Sequence, residues 1–161
     1  VFLPYLDGER TPIWDRSALG GFLGLSLTYT REDMISVVIE GITLGLKDIL
    51  ERVKASGIIV QAATAYGRQA YNPGWNQLKA DAFGIPVHVP LVKEATSLGA
   101  AAIAGWGIGI WPDVTSAGKS LRIVEYSCTP SIKSAAAWSD NLIAFREFYK
   151  CTRERIPYNP K

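Results

Sequence analysis

The stretch TAYGRQAYNPGWNQLKAD, Thr64 to Asp81, holds the residues whose types and order best suit chemistry. It follows a β-branched run, turns at Gly67 and feeds a helix opened by Pro73. A strand, a glycine turn and a helix start bring backbone N–H groups and the positive end of a helix dipole to one place, which suits a phosphate. The pattern matches neither a Walker loop nor a dinucleotide fingerprint. On these residues alone a structural turn is the plainer reading, and a phosphate-binding turn stays open beside it.

The other chemical candidates are thinner. GWGIG, Gly105 to Gly109, follows a helix instead of preceding one, so it reads as a helix stop. His88 is the only histidine and has no cysteine or carboxylate at ligand spacing, which argues against a metal site and a histidine-based triad. DGERTP, Asp7 to Pro12, places two carboxylates and an arginine in a loop; a solvated turn and a substrate-side or interdomain loop are both open. Lys and Arg are scattered and form no basic groove.

Composition sets the bounds. The chain has 161 residues, 48% hydrophobic and 20% charged, which suits one globular region and not a disordered one. A net charge of +2 argues against nucleic acid and against an anionic membrane as partners. Cys128 and Cys151 supply no disulfide or metal framework; one bridge stays open, and reduced thiols in a cytoplasmic protein are the expectation. The N-terminus shows neither the pattern of a signal peptide nor an initiator Met, so a processed chain or a piece of a longer protein is expected. The uncharged run Ala95–Trp111 is short for a membrane span and rich in Ala and Gly, which predicts a buried helix.

The elements that must position the turn follow from periodicity. Residues 1–15 read as a loop with a short extended piece, and GGFLGL continues the irregular region. Thr30, with Asp33 three residues on, predicts a capped helix start. Met34, Ile35, Val38, Ile39, Ile42, Leu46, Ile49, Leu50 and Val53 then form an apolar stripe, Gly41 and Gly45 permit close backbone approach, and Gly57 is the stop. Residues 57–65 predict a buried strand, with a helix as the competing reading because 61–65 are poor in strand formers; 73–83 predict a helix ended by Gly84, and 86–90 a short strand. A small-residue helix over 94–106, a break at Pro112-Asp113, a strand near 121–126 and an amphipathic helix over 137–153 complete the chain. The order predicts an α/β layer with a narrow, mostly parallel sheet and flanking helices, whose apolar strands call for more neighbours than the chain supplies.

Five segments in order, FLPYLDGERTPIWD, GGFLGLSLTYTREDM, VIEGITLGLKDIL, WNQLKADAFGIPVHVP and EATSLGAAAIAGWGIG, resemble the C-terminal part of FGGY-family carbohydrate kinases, xylulokinase-like members most closely. The likeness runs from Phe2 to about Arg155. It implies that residues 1–161 are one region, the later part of the C-terminal domain of a two-domain kinase with an actin-like, ribonuclease-H-like fold. The implied reaction is transfer of the ATP γ-phosphate, with Mg²⁺, to a sugar hydroxyl; D-xylulose is the first expectation, gluconate or ribulose the next. The catalytic aspartate and most sugar contacts would lie in an upstream N-terminal region, leaving no catalytic or metal-ligating residue here and giving this chain the adenosine side of the site. A non-catalytic module used for binding or assembly is the competing class, and the oligomeric state is open, a homodimer included.

Aligned from Trp75, the family pattern Gly-Gly-Gly-Ala falls on Gly67, Arg68, Gln69 and Ala70. These four and Asn72 at the helix start are the nucleotide contacts that the resemblance and the turn imply. Long side chains at Arg68 and Gln69 would be strained if those positions needed positive φ, although Arg68 could itself reach a phosphate. Arg16 stands where the family has proline, and Leu19 where it has arginine.

Overall fold

A computed structural model of the chain describes residues 1–131 and 135–155. It divides into two compact units: residues 1–60, 81–84 and the described residues from 131 onward form the first, and residues 61–80 and 85–130 the second.

In the first unit, β1 (Phe2–Leu3) pairs antiparallel with β2 (Gly21–Phe22), so the GGFLGL segment is partly strand. Helix α1 (Arg31–Ala55) begins at the expected capping box: Thr30 accepts from the Asp33 amide, and the Asp33 carboxylate accepts from the Thr30 amide. Those bonds hold the Asp33 carboxyl below its usual pKa. Gly57 terminates the helix region at φ +87°. Gly41 faces β1 so closely that a Cβ there would lie 2.3 Å from the Phe2 carbonyl oxygen, which is why the backbones can approach. At Gly45 the nearest atom is 3.9 Å away, an ordinary contact.

The burial of α1 differs from its apolar stripe. Ile35 is exposed and most of the other stripe residues are half-buried. The buried positions are Gly41, Thr43, Leu44, Lys47 and Asp48. Two charges can sit there because each has a partner. Lys47 Nζ donates to the Ala82 carbonyl at 2.6 Å, and Arg146 Nε donates to Asp48 at 2.7 Å. Arg146 lies on α5 (Ala135–Arg155), which packs on α1 and β1 and brings Phe145 against Tyr5 edge to face.

The second unit holds a three-stranded sheet in the order β3 (Ala63–Thr64), β4 (Val87–Pro90), β5 (Val124–Cys128). It is narrow, as expected. β3 pairs parallel with β4, whereas β4 pairs antiparallel with β5, Val89 facing Tyr126. The expected strand over 57–65 shrinks to Ala63–Thr64. Ile58 and Ile59 carry the β-branched signal but are exposed and pair with no strand, and propensity alone does not make a strand without a ladder partner. β5 lies a few residues later than expected because Val114–Leu121 is a helix, α4, capped by Asp113, whose carboxylate accepts from the Ser116 amide at 2.7 Å.

Helix α2 (Pro73–Phe83) has the expected bounds, and Gly84 follows it at φ +68°. Helix α3 (Ala95–Gly107) forms where expected but is not buried: only Ala102 and Gly105 are. Gly105 sits under the Trp111 ring, whereas among the described residues nothing lies within 4 Å of where a Gly99 Cβ would be. The GWGIG cluster ends α3 as a Schellman turn: the Ile110 amide donates to the Gly105 carbonyl at 2.8 Å and Gly109, at φ +81°, donates to Trp106.

Candidate functional site

β3 ends at Thr64, and the chain turns at Gly67 into a short 3-10 helix, Arg68–Tyr71, which runs into α2. Gly67 has φ +76° and ψ −168°, a conformation nearly reserved for glycine. Its amide donates to the Lys93 carbonyl at 2.7 Å, and its carbonyl accepts from Ala70 at 3.0 Å. Among the described residues nothing lies within 4 Å of where a Cβ would be, so the backbone at Gly67 faces open space there.

Arg68 and Gln69 are not strained. They are helical, and among the described residues Trp14 is the only non-glycine with positive φ. The structural reason is the bond from Ala70 to Gly67: one positive φ makes the turn, and the next residues close it helically. Both side chains are exposed. Their amides open the 3-10 turn and have no earlier carbonyl of that turn in register. Ala70 is wholly buried.

Asn72 caps α2: its Oδ1 accepts from the Trp75 amide at 3.0 Å. The Asn76 amide donates to the Asn72 carbonyl, and Pro73 has no N–H. The helix start thus offers fewer open donors than its position promises. The 3-10 turn before it is the better anion cradle.

Lys93 adjoins the turn through its carbonyl, which accepts from the Gly67 amide. Lys93 forms an ion pair with Glu125 and lies 5.2 Å from the Tyr71 ring centre. Lys79 is buried and lies 5.0 Å from the centre of the Trp75 ring, and burial lowers its pKa. His88 is committed to a 2.7 Å hydrogen bond with Ser127. Among the described residues no three His, Cys, Asp or Glu side chains converge in a manner that could hold a metal. Beneath the turn lies a residue that sequence reasoning missed. Asn76 is wholly buried, and its Nδ2 donates to the Ala70 carbonyl at 2.8 Å and to Tyr126 Oη at 2.9 Å. Nothing in the periodicity could have found it, because Tyr126 is fifty residues away.

The DGERTP loop belongs to the first unit and is ordered by its own ladder. Glu9 and Asp15 exchange backbone bonds of 2.8 Å in both directions. Gly8 is at φ +70°, with the Arg16 carbonyl 2.7 Å from where its Cβ would be. Asp15 is buried; that burial works to raise its pKa, but bonds from Ser17 and Tyr149 and the Arg153 charge outweigh it and hold the carboxyl low. Burial and the bond to Asp15 push the Tyr149 hydroxyl up to about 12. Leu19 is half-buried and Arg16 exposed, and the positive charge beside Asp15 comes from Arg153 on α5.

Comparison with known proteins falls on this same frame. The model of the FGGY family of carbohydrate kinases, C-terminal domain, matches residues 1–108. A xylulose kinase of Staphylococcus epidermidis is 31% identical over 154 residues, 96% of this chain and 31% of its own length. The gluconate kinase of Lactobacillus acidophilus superposes with a TM-score of 0.83 at 28% identity, over 96% of this chain and 31% of that one. The glycerol kinase of Plasmodium falciparum, solved with ADP, superposes at 0.72 and 23% identity over 99% of this chain and 31% of that one, a likeness of fold alone. The chain thus spans about a third of the length of the curated relatives it matches.

Proposed function

The chain belongs to the FGGY family of carbohydrate kinases, and from that premise we propose that it supplies the adenosine side of the nucleotide site in an ATP-dependent sugar kinase, as the later part of that kinase's C-terminal domain. The observation that carries this reading is the turn at Gly67: a positive φ, open space over the backbone, and the start of the 3-10 helix immediately after it. Gly67, Arg68, Gln69, Ala70 and Asn72 are assigned to the nucleotide. Gly67 allows the close approach, the Arg68 and Gln69 amides donate, and the Arg68 guanidinium answers phosphate charge. Ala70 fixes the turn from inside, and Asn72 sets the start of α2 by capping it.

Mg²⁺ bound with the nucleotide would neutralise phosphate charge, and no residue of these 161 is assigned to it. The acid group that takes the sugar hydroxyl's proton is assigned to an N-terminal region of the kinase, which also carries most of the sugar contacts. D-Xylulose is the acceptor this reading favours, on the likeness to a xylulose kinase over nearly the whole chain. Gluconate is the second reading, on the superposition with a gluconate kinase. A cytoplasmic location is the reading that the cellular supply of ATP favours; separately, no described helix is long and apolar enough to cross a membrane.

Calorimetric titration of Mg-ADP into the 161-residue chain, with circular dichroism on the same sample, tests the site. Saturable binding is expected, lost in Gly67→Val, because valine can neither adopt the turn's φ nor leave its space open. A folded Gly67→Val chain that binds with undiminished affinity removes the turn from the site. Sugar-dependent ATP turnover by the 161-residue chain is not expected, and observing it would overturn the assignment of catalysis to another region.

A further inference from the structure

Asn76 lies one turn into α2 and is wholly buried. Its Nδ2 has two hydrogens and gives one to the Ala70 carbonyl and the other to Tyr126 Oη. A carbonyl can only accept, so the orientation of this amide is fixed by chemistry. The consequence is that Asn76 Oδ1 is buried and, among the described residues, has no hydrogen-bond partner.

That orphan acceptor disfavours the folded state, and an apolar side chain of similar size would not carry it. The two bonds that Nδ2 donates offset it, and they are what the asparagine supplies. The amide's work is at the other end. Ala70 is the residue whose amide closes the 3-10 turn onto Gly67, and Asn76 holds its carbonyl from below. Tyr126, on β5, holds Asn76 in turn, so the turn is tied to the sheet through a single buried amide.

We infer that Asn76, braced by Tyr126, is a positioning residue for the nucleotide site, fixing the Gly67–Ala70 backbone in the geometry that receives phosphate. The inference rests on the nucleotide reading above and deepens it. Asn76 acts through Ala70, and its buried acceptor is tolerated for the sake of the turn's shape.

The test compares Mg-ADP affinity in the parent chain with that in Asn76→Leu, Tyr126→Phe and Gly67→Val. Asn76→Leu is expected to weaken binding by about tenfold, the loss of one to two hydrogen bonds' influence on the turn. Its thermal midpoint is expected to fall, because the Ala70 carbonyl and Tyr126 Oη lose their donor, and the Ala70 and Asn72 amides should exchange hydrogen faster. A residue with a merely structural role would lower the midpoint and leave the affinity of the folded chain unchanged. Tyr126→Phe keeps the bond to Ala70 and loses the brace, so about two- to threefold weaker binding is expected. It also carries the test should Asn76→Leu fail to fold. If both variants fold and bind as the parent does while Gly67→Val does not, the positioning role is wrong and the nucleotide site stands. If the folded parent binds no Mg-ADP, the nucleotide reading fails and this inference falls with it.

Discussion

The two units bury charge to different extents. The first closes over three charges: Asp48 and Lys47 are buried on α1, and Asp15 is buried beside α5, each with a bonded partner. Among the described residues the second buries one, Lys79, and it leaves the apolar surface of a helix in the open: Ile103 and Trp106 on α3, and Ile108 and Ile110 in its Schellman turn, are all exposed. Residue type alone would have assigned the reverse. Burial follows partners: a charge can go inside when a guanidinium or a carbonyl meets it, and a hydrophobic helix stays outside when nothing lies against it. The site sits where the second unit buries polar side chains, Asn76 under the turn and Lys79 three residues on.

The sharpest way to break this comparison is to empty the first unit's core. Phe145 is almost fully buried and stands edge to face with Tyr5 at 5.8 Å. Phe145→Ala is expected to lower the unfolding free energy by about 4 kcal/mol, from lost transfer energy and the cavity left behind. Urea denaturation of parent and variant measures it. A loss under about 1 kcal/mol, the size of an ordinary surface change, would mean that the first unit is held together elsewhere.

A smaller effect tests whether the buried charges contribute as drawn. Asp15 has its folded pKa below the ordinary 3.8. Its contribution is therefore complete above the ordinary carboxylate value and is lost as pH falls through the lower folded one. Stability of the parent should drop over that acid range, and Asp15→Asn should drop less steeply while starting lower at neutral pH. Parallel curves for the two proteins would remove Asp15 from the acid response and leave only its hydrogen bonds.

Much of this frame was legible in the sequence, and the failures share a cause. Thr30 with Asp33, Gly57, Gly84 and the Gly105–Gly109 cluster each marked a helix end correctly, because caps and stops are local chemistry. The bounds of α2 followed from Pro73 and Gly84 in the same way. What could not be read was what lies against what. Ile58 and Ile59 looked like a strand but have no ladder partner among the described residues, α3 looked buried but is covered only along Ala102 and Gly105, and the apolar stripe of α1 is largely half-buried while its charged neighbours go inside. Helix α4 was missed although Asp113 and Ser116 carry its cap, because the Pro-Asp pair was taken only as a break. At the candidate site, the turn and its glycine were visible in the sequence. The absence of strain at Arg68 and Gln69 and the amide bridge from Asn76 to Tyr126 were not, since both depend on bonds formed after folding.

The smallest expected effect is the most telling for the second unit. Ile103 is 58% exposed on α3, and its neighbours Ala102 and Gly105 carry what burial that helix has. If the face is open in the 161-residue chain, Ile103→Ser removes no buried contact and should change stability by about 0.5 kcal/mol or less in urea denaturation. Binding of a fluorescent hydrophobic dye to the folded chain should fall in the same variant, because the face loses apolar area. A destabilisation above about 1.5 kcal/mol would mean that Ile103 is covered in solution, by the chain itself or by a second copy, and that the contrast between the units is false. Dilution separates those two cases: a loss that depends on protein concentration belongs to a second copy, and one that does not belongs to the fold.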